Sequence, residues 1–258
     1  MVSVPLLNGT KTIAMKFYLF HFILFTTYLF GQSYQELERN ENLKKYKSVK
    51  VYNSDGKKGW WKKIALKDGR IHSIKNYNGS YLTHKAVYHF DTKGNLDYEI
   101  EKYNSNKGKV NDTIKHFNVY NEAGQLIKMG QEKRSQFNHQ NLPQLIERNE
   151  TAFDSVFGYR EEITYDSIGN IRQHKVYTKS DDKFEIEIQQ FQYDHNNNVV
   201  ELNRSAIPKH EYPIIMTGGR DHYENEKFRY VYNKDNLWVE KYWIIHNKEY
   251  LIATRKFK

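Results

Sequence analysis

Apolar and polar residues alternate along most of this chain, and turn chemistry interrupts the alternation at short intervals. Strands are expected over residues 48–52, 60–66, 70–77, 82–90, 96–103, 113–120 and 126–132. They resume over 157–165, 171–178, 184–193, 199–204, 227–232, 237–245 and 250–256. Period-two alternation with β-branched and aromatic residues is the pattern of strands with one covered face. Phe184-Glu185-Ile186-Glu187-Ile188 alternates cleanly, and then Phe191 and Tyr193 take over the apolar phase. A one-residue slip flips faces unless a bulge absorbs it, so a bulge is expected at Gln189 or Gln190. Two stretches break the pattern and read as loop insertions. Residues 134–154 hold Pro143, several Asn and Gln, and Leu145-Ile146, with room for one helical turn. Residues 205–221 hold Pro208, Pro213 and Gly218-Gly219.

The turns repeat. Thr164-Tyr165-Asp166-Ser167-Ile168-Gly169-Asn170-Ile171 reads as strand, tight turn, strand. The Asp166 carboxylate can accept a backbone N–H two residues on, and Gly169 suits a left-handed residue at the end of the turn. Copies recur at Asp91 to Gly94, Asn121 to Gly124, and Asp194 to Asn197, where Asn replaces Gly. Others fall at Asn53 to Gly56 and at Asn233, where Asn236 is expected to take the left-handed position.

These Tyr-Asp-x-x-Gly turns resemble the YD repeats of Rhs and teneurin-like proteins. Gly56-Lys57-Lys58-Gly59-Trp60-Trp61 is similar to the MORN-variant repeats of bacterial secreted proteins. The units here are longer, and Asn or Gln replaces the usual Arg after the Gly, so a toxin-enclosing role is not carried over. The expected fold is all-β: successive antiparallel hairpins forming a curved or elongated repeat sheet with two loop insertions. The expected division is an upstream extension and signal peptide over 1–31, a polar lead-in over 32–47, and the hairpin repeat domain over 48–258.

The leader is expected because Met15-Lys16 precedes an apolar run, Phe17 to Phe30. That run of about 14 residues suits a signal peptide and is short for a membrane span. Gly31 precedes the expected cleavage, and no stable membrane span is expected afterwards. The chain has no Cys, so disulfides and a lipoprotein anchor are both excluded. Secreted, periplasmic or cell-surface placement is therefore expected. Tyr numbers 21, and its ring and hydroxyl suit a half-wetted sheet. The formal net charge is +9, with Lys interspersed among acids and no dense basic block. Nucleic acid is not expected as a partner.

No catalytic, cofactor or metal set stands out. There is no Gly-x-Ser-x-Gly elbow and no His-x-His pair. Asp194, Asn196 and Asn198 mimic the first ligands of a calcium loop, but Val199 sits where its glycine belongs. Gly218 to His222 is the most enzyme-like string, and a hydrolase centred on Asp221 and His222 is one reading. The leading reading is a non-enzymatic extracytoplasmic module that binds a cell-surface or protein partner. The alternative is a module for carbohydrate or anionic polysaccharide, with Trp60, Trp61, Trp238 and Trp243 as exposed stacking rings beside lysines.

Overall fold

The computed structural model describes residues 41–53, 59–104, 112–129, 132–152, 155–180, 183–216 and 220–258. The expected leader, the first turn from Ser54 to Lys58, and Gly218-Gly219 lie outside the described residues.

A 3-10 turn, Glu41–Lys45, leads into sixteen strands. They are β1 (Ser48–Asn53), β2 (Trp60–Lys67), β3 (Arg70–Asn78), β4 (Tyr81–Phe90), β5 (Leu96–Tyr103), β6 (Asp112–Tyr120), β7 (Leu126–Met129) and β8 (Glu132–Phe137). The second half contains β9 (Pro143–Ala152), β10 (Ser155–Tyr165), β11 (Ile171–Ser180), β12 (Lys183–Tyr193), β13 (Val199–Ile207), β14 (Asn225–Tyr232), β15 (Trp238–Ile245) and β16 (Lys248–Phe257). Each strand pairs antiparallel with its chain neighbours, and β1 pairs with β16.

The sheet is therefore a closed up-and-down barrel, which corrects the expected open, curved or elongated sheet. Val49 lies opposite Phe257 and Val51 opposite Arg255. Closure pairs the backbone groups that an open sheet would leave along two edges.

The first expected insertion is also corrected. Residues 132–152 form the hairpin of β8 and β9, with Phe137 opposite Pro143. Asn138 does the work of Asp, accepting from the amides of Gln140 (2.9 Å) and Leu142 (3.0 Å). Asn141 takes the left-handed position at φ 59°. Pro143 is tolerated because it opens its strand. The second irregular stretch follows Ile207, and an isolated bridge between Ile214 and His222 closes it.

All turns from an even-numbered strand to the next lie at one rim. Asp166 Oδ1 there accepts from the amides of Ile168 (3.0 Å) and Asn170 (2.8 Å). Asp91 and Asp194 accept in the same way. Gly94, Gly124, Gly169, Asn197 and Asn236 occupy the left-handed region at φ 84°, 76°, 85°, 63° and 55°. The tyrosine before the turn then ties hairpins together. Tyr120, Tyr165 and Tyr193 donate to the carbonyls of Leu96 (3.0 Å), Pro143 (2.8 Å) and Ile171 (2.8 Å). A Phe in those places would fill the same space without the hydrogen bond.

Alternation sends one side chain in and the next out. The inner face of β1 to β3 builds a cluster of Val49, Val51, Ile64, Leu66, Ile71 and Ile74. The inner face of β9 to β14 builds another around Ile146, Ile163, Phe191, Leu202 and Phe228. The expected bulge at Gln189 or Gln190 is absent. Gln189 lies opposite Arg204 and Gln190 opposite Asn203 in unbroken register, and the irregularity falls between Gln192 and Tyr193. The phase never slips, because Glu187 and Gln189 face inward with Phe191. Gln189 Nε2 donates to Glu187 Oε1 at 2.8 Å. Phe184, Ile186 and Ile188 face outward.

Candidate functional site

Several charged groups on the inner face pair with one another. His174 Nε2 meets Glu161 Oε2 at 2.7 Å, and both side chains are buried. Glu226 is wholly buried, receives Arg204, and receives Arg220 at 2.7 Å. Such a network is a structural core element, since breaking one partner strands the others. A second group lies on β4 and β5. His84 Nε2 is 3.4 Å from Glu101 Oε1, and Tyr103 donates to Glu101 Oε2 at 2.8 Å. Glu99 lies beside them. Burial pushes its carboxyl up to about 7, and the Glu101 charge adds to the effect. Among the described residues no group of three His, Asp or Glu could hold a metal ion.

Asp221 and His222 are each tied to the backbone of the segment before them. Asp221 Oδ1 accepts the amide of Met216 at 3.1 Å. The backbone of His222 is bridged to Ile214 at 2.8 and 3.0 Å. Burial and the neighbouring Arg204 push the imidazole of His222 down to about 4, so it is neutral near pH 7. Asp194, Asn196 and Asn198 form a polar turn, with Asp194 Oδ1 2.9 Å from both of the other amides. Glu161 faces inward and Glu162 outward, as adjacent strand residues must.

The four tryptophans part company. Trp238 is only 6% exposed and lies under the Arg255 guanidinium, 3.4 Å from its ring centroid. Trp243 is half-buried on the inner face opposite Phe228, with Arg220 at 4.9 Å from its ring. Trp60 shares the inner phase with Lys62 and Ile64. Trp61 alone of the four faces outward. Its indole N–H donates to the Gly79 carbonyl at 2.8 Å. Tyr77 stacks on it at 4.1 Å between centroids and 5° between planes, and Tyr52 flanks it at 6.0 Å and 24°. The result is a three-ring ridge on the outer wall, with the indole faces already covered.

Beside this ridge lies a feature that sequence reading missed. Lys256 is opposite Lys50, Lys50 opposite Lys63, Lys63 opposite Lys75, Lys75 opposite Lys85, and Lys85 opposite Lys102. Six neighbouring strands thus place a lysine in one outer row. At about 4.8 Å per strand, the row spans about 24 Å. The row toward the ridge is Thr254, Tyr52, Trp61, Tyr77 and Leu82. The row on the other side is Ser48, Ala65, Ser73, Val87 and Ile100. Neither contains an acid. Lys50 Nζ is 5.1 Å from the Trp61 ring and Lys256 Nζ 5.6 Å from Tyr52, which ties the ladder to the ridge. The lysines are scattered in sequence, so only strand register reveals the row.

No family model matches the chain, and no curated protein matches it in sequence. The resemblance to YD and MORN-variant repeats therefore rests on the turn residues alone. Among solved structures, a porin-like protein from Bacteroides uniformis is similar at TM-score 0.34 and 8% identity, covering 83% of this chain and 98% of that one. The Tc holotoxin pore of Photorhabdus luminescens is similar at TM-score 0.31 and 12% identity, covering 75% of this chain and 11% of that one. Both likenesses are too distant to carry fold or function to this barrel.

Proposed function

We propose that this chain is a non-enzymatic, extracytoplasmic binding barrel that holds an anionic partner at a cell surface against its lysine ladder. The observation that carries this reading is the ladder itself, with no acid among the flanking outward residues named on its own strands. Like charges placed directly opposite one another cost stability. Six in register keep that cost in a place where any alternation of Lys and Glu would relieve it. A row of cations on a low-dielectric wall concentrates an anion along its length. The same row argues against burial of β1 to β5 in lipid, where the outward face must be an apolar band.

The test is salt-dependent retention on an immobilised polyanion. The double variant Lys63→Glu with Lys75→Glu is expected to lose retention while keeping its far-ultraviolet spectrum. Equal retention of the variant and the parent would remove the ladder as the binding face.

A second reading, a protein partner, is favoured by a different observation. Phe184 and Ile207 on the outer face of β12 and β13 are 55% and 57% exposed. Phe184→Ser with Ile207→Ser would abolish association with such a partner and leave polyanion retention unchanged.

A further inference from the structure

Three features of the ladder narrow the class of anion. The charges repeat once per strand, at about 4.8 Å. They follow the barrel wall in register across six adjacent strands, so the ligand lies along the row and carries its charges at a regular interval. In the ridge beside them, Trp61 is stacked on Tyr77 and flanked by Tyr52, so the indole is engaged on both faces within the protein. Single-stranded nucleic acid is held by stacking bases on open aromatic faces, and both faces of Trp61, the largest ring here, are already engaged. An extended chain of linked pyranoses advances by nearly one strand spacing per sugar. The flexible four-carbon stems of lysine reach carboxylates on either edge of such a ribbon.

We propose that the ladder binds a linear acidic polysaccharide with one carboxylate on every sugar, lying across the strands so that successive sugars meet Lys256, Lys50, Lys63, Lys75, Lys85 and Lys102. This rests on the anion-binding reading above and names its ligand class. The ridge of Tyr52, Trp61 and Tyr77 bounds the track on one side and fixes its direction.

The experiment titrates the full chain with polygalacturonate oligomers from dimer to octamer, followed by tryptophan fluorescence. Trp61→Phe identifies the signal, since the other three tryptophans do not face the ladder. Affinity is expected to climb to the hexamer and then level off, when each lysine has its carboxylate. Hyaluronan oligomers of equal length, with carboxylates on alternate sugars, are expected to bind at least about tenfold more weakly, because fewer counterions are released. Lys75→Gln is expected to lower the slope of log affinity against log salt by about one, and Lys227→Gln, outside the row on β14 and opposite Glu201, to leave it unchanged.

Inorganic polyphosphate or oligothymidylate binding as tightly as polygalacturonate of equal charge would overturn the polysaccharide assignment and leave the anion-binding reading standing. Equal losses in Lys75→Gln and Lys227→Gln would overturn the ladder as the track. Binding of none of the four polymers would overturn the anion-binding reading itself.

Discussion

Two walls of the same barrel treat charge in opposite ways. From β16 through β1 to β5, the central outer row is lysine on every strand. From β8 to β14, neighbouring strands compensate one another. Glu147 sits between Lys133 and Arg160, Glu162 opposite Lys175, and Glu201 opposite Lys227. Farther round, Arg229 grips Glu249 with two hydrogen bonds at 2.8 and 2.6 Å. That pairing holds the Glu249 carboxyl below its usual range and raises Arg229. The inner faces are mixed on both sides. Behind the ladder, Val49, Val51, Ile64 and Ile74 adjoin buried Lys62 and the His84, Glu99 and Glu101 group, and behind the compensated wall Ile163, Phe191 and Leu202 adjoin His174, Glu161, Arg204 and Glu226. Both walls have the same backbone, so the difference lies in their outward side chains. One wall balances its charges across neighbouring strands, while the other leaves a row of cations facing outward.

The contrast can be broken most forcefully from inside. Glu226→Ala strands Arg204 and Arg220 in the interior and is expected to cost about 3–5 kcal/mol. Ile64→Ala behind the ladder should cost about 2–5 kcal/mol by leaving a cavity. Denaturant titration of both variants measures this, and only the first should become sensitive to salt.

Next in size is the carboxyl of Glu99. Its folded value, raised to about 7, lies above the unfolded one. Below the unfolded value, both states hold the proton and the group is neutral toward folding. As pH rises from about 4.5 to about 7, the unfolded chain releases its proton first, and stability falls. Glu99→Gln is expected to remove that fall and to stabilise the barrel at pH 8 by at most about 3 kcal/mol. A pH series of thermal midpoints checks it, and a parallel series on His222→Asn separates the opposite trend. His222, with its lowered value, favours folding above the unfolded value, and that stability is lost as pH falls toward about 4.

The turns give a smaller effect. Gly169→Ala forces a side chain into φ 85° and is expected to cost about 1 kcal/mol. Gly94→Ala should cost more, because its Cβ would meet Arg70 Nη1 at 2.8 Å and disturb the 2.6 Å hydrogen bond from Arg70 to the Gly94 carbonyl. Equal midpoints for the two variants would mean that the Arg70 contact is immaterial.

The smallest effect concerns the ladder itself. Lys63→Glu places an acid between Lys50 and Lys75 and is expected to stabilise the chain by up to about 1 kcal/mol. Glu147→Lys on the other wall should destabilise by a similar amount. A stability gain accompanied by lost polyanion retention is the combination that marks a wall kept for binding.

Much of the local structure was legible from residues. Asp91, Asn121, Asp166 and Asp194 each hold a turn that their own carboxylate or amide completes within five residues. Nothing distant is needed for that. The turn at Asn138 escaped because Asn replaced both Asp and Gly and a proline followed. The slip read at Gln189 assumed that apolar residues always face in, whereas on β12 the inward positions are Glu187 and Gln189, held by an ionic interior. Trp238 and Trp243 read as exposed rings because a strand shows two faces and sequence does not say which is inside.

Tyr-Asp-x-x-Gly chemistry and period-two alternation, both local, determined by themselves that the chain is a series of antiparallel hairpins. Only the tertiary structure decided that β1 meets β16, that Trp61 faces outward, and that six scattered lysines stand in one row. These outcomes depend on strand registers between residues as far apart as Lys50 and Lys256, and register is a property of the closed barrel that no short stretch of sequence contains.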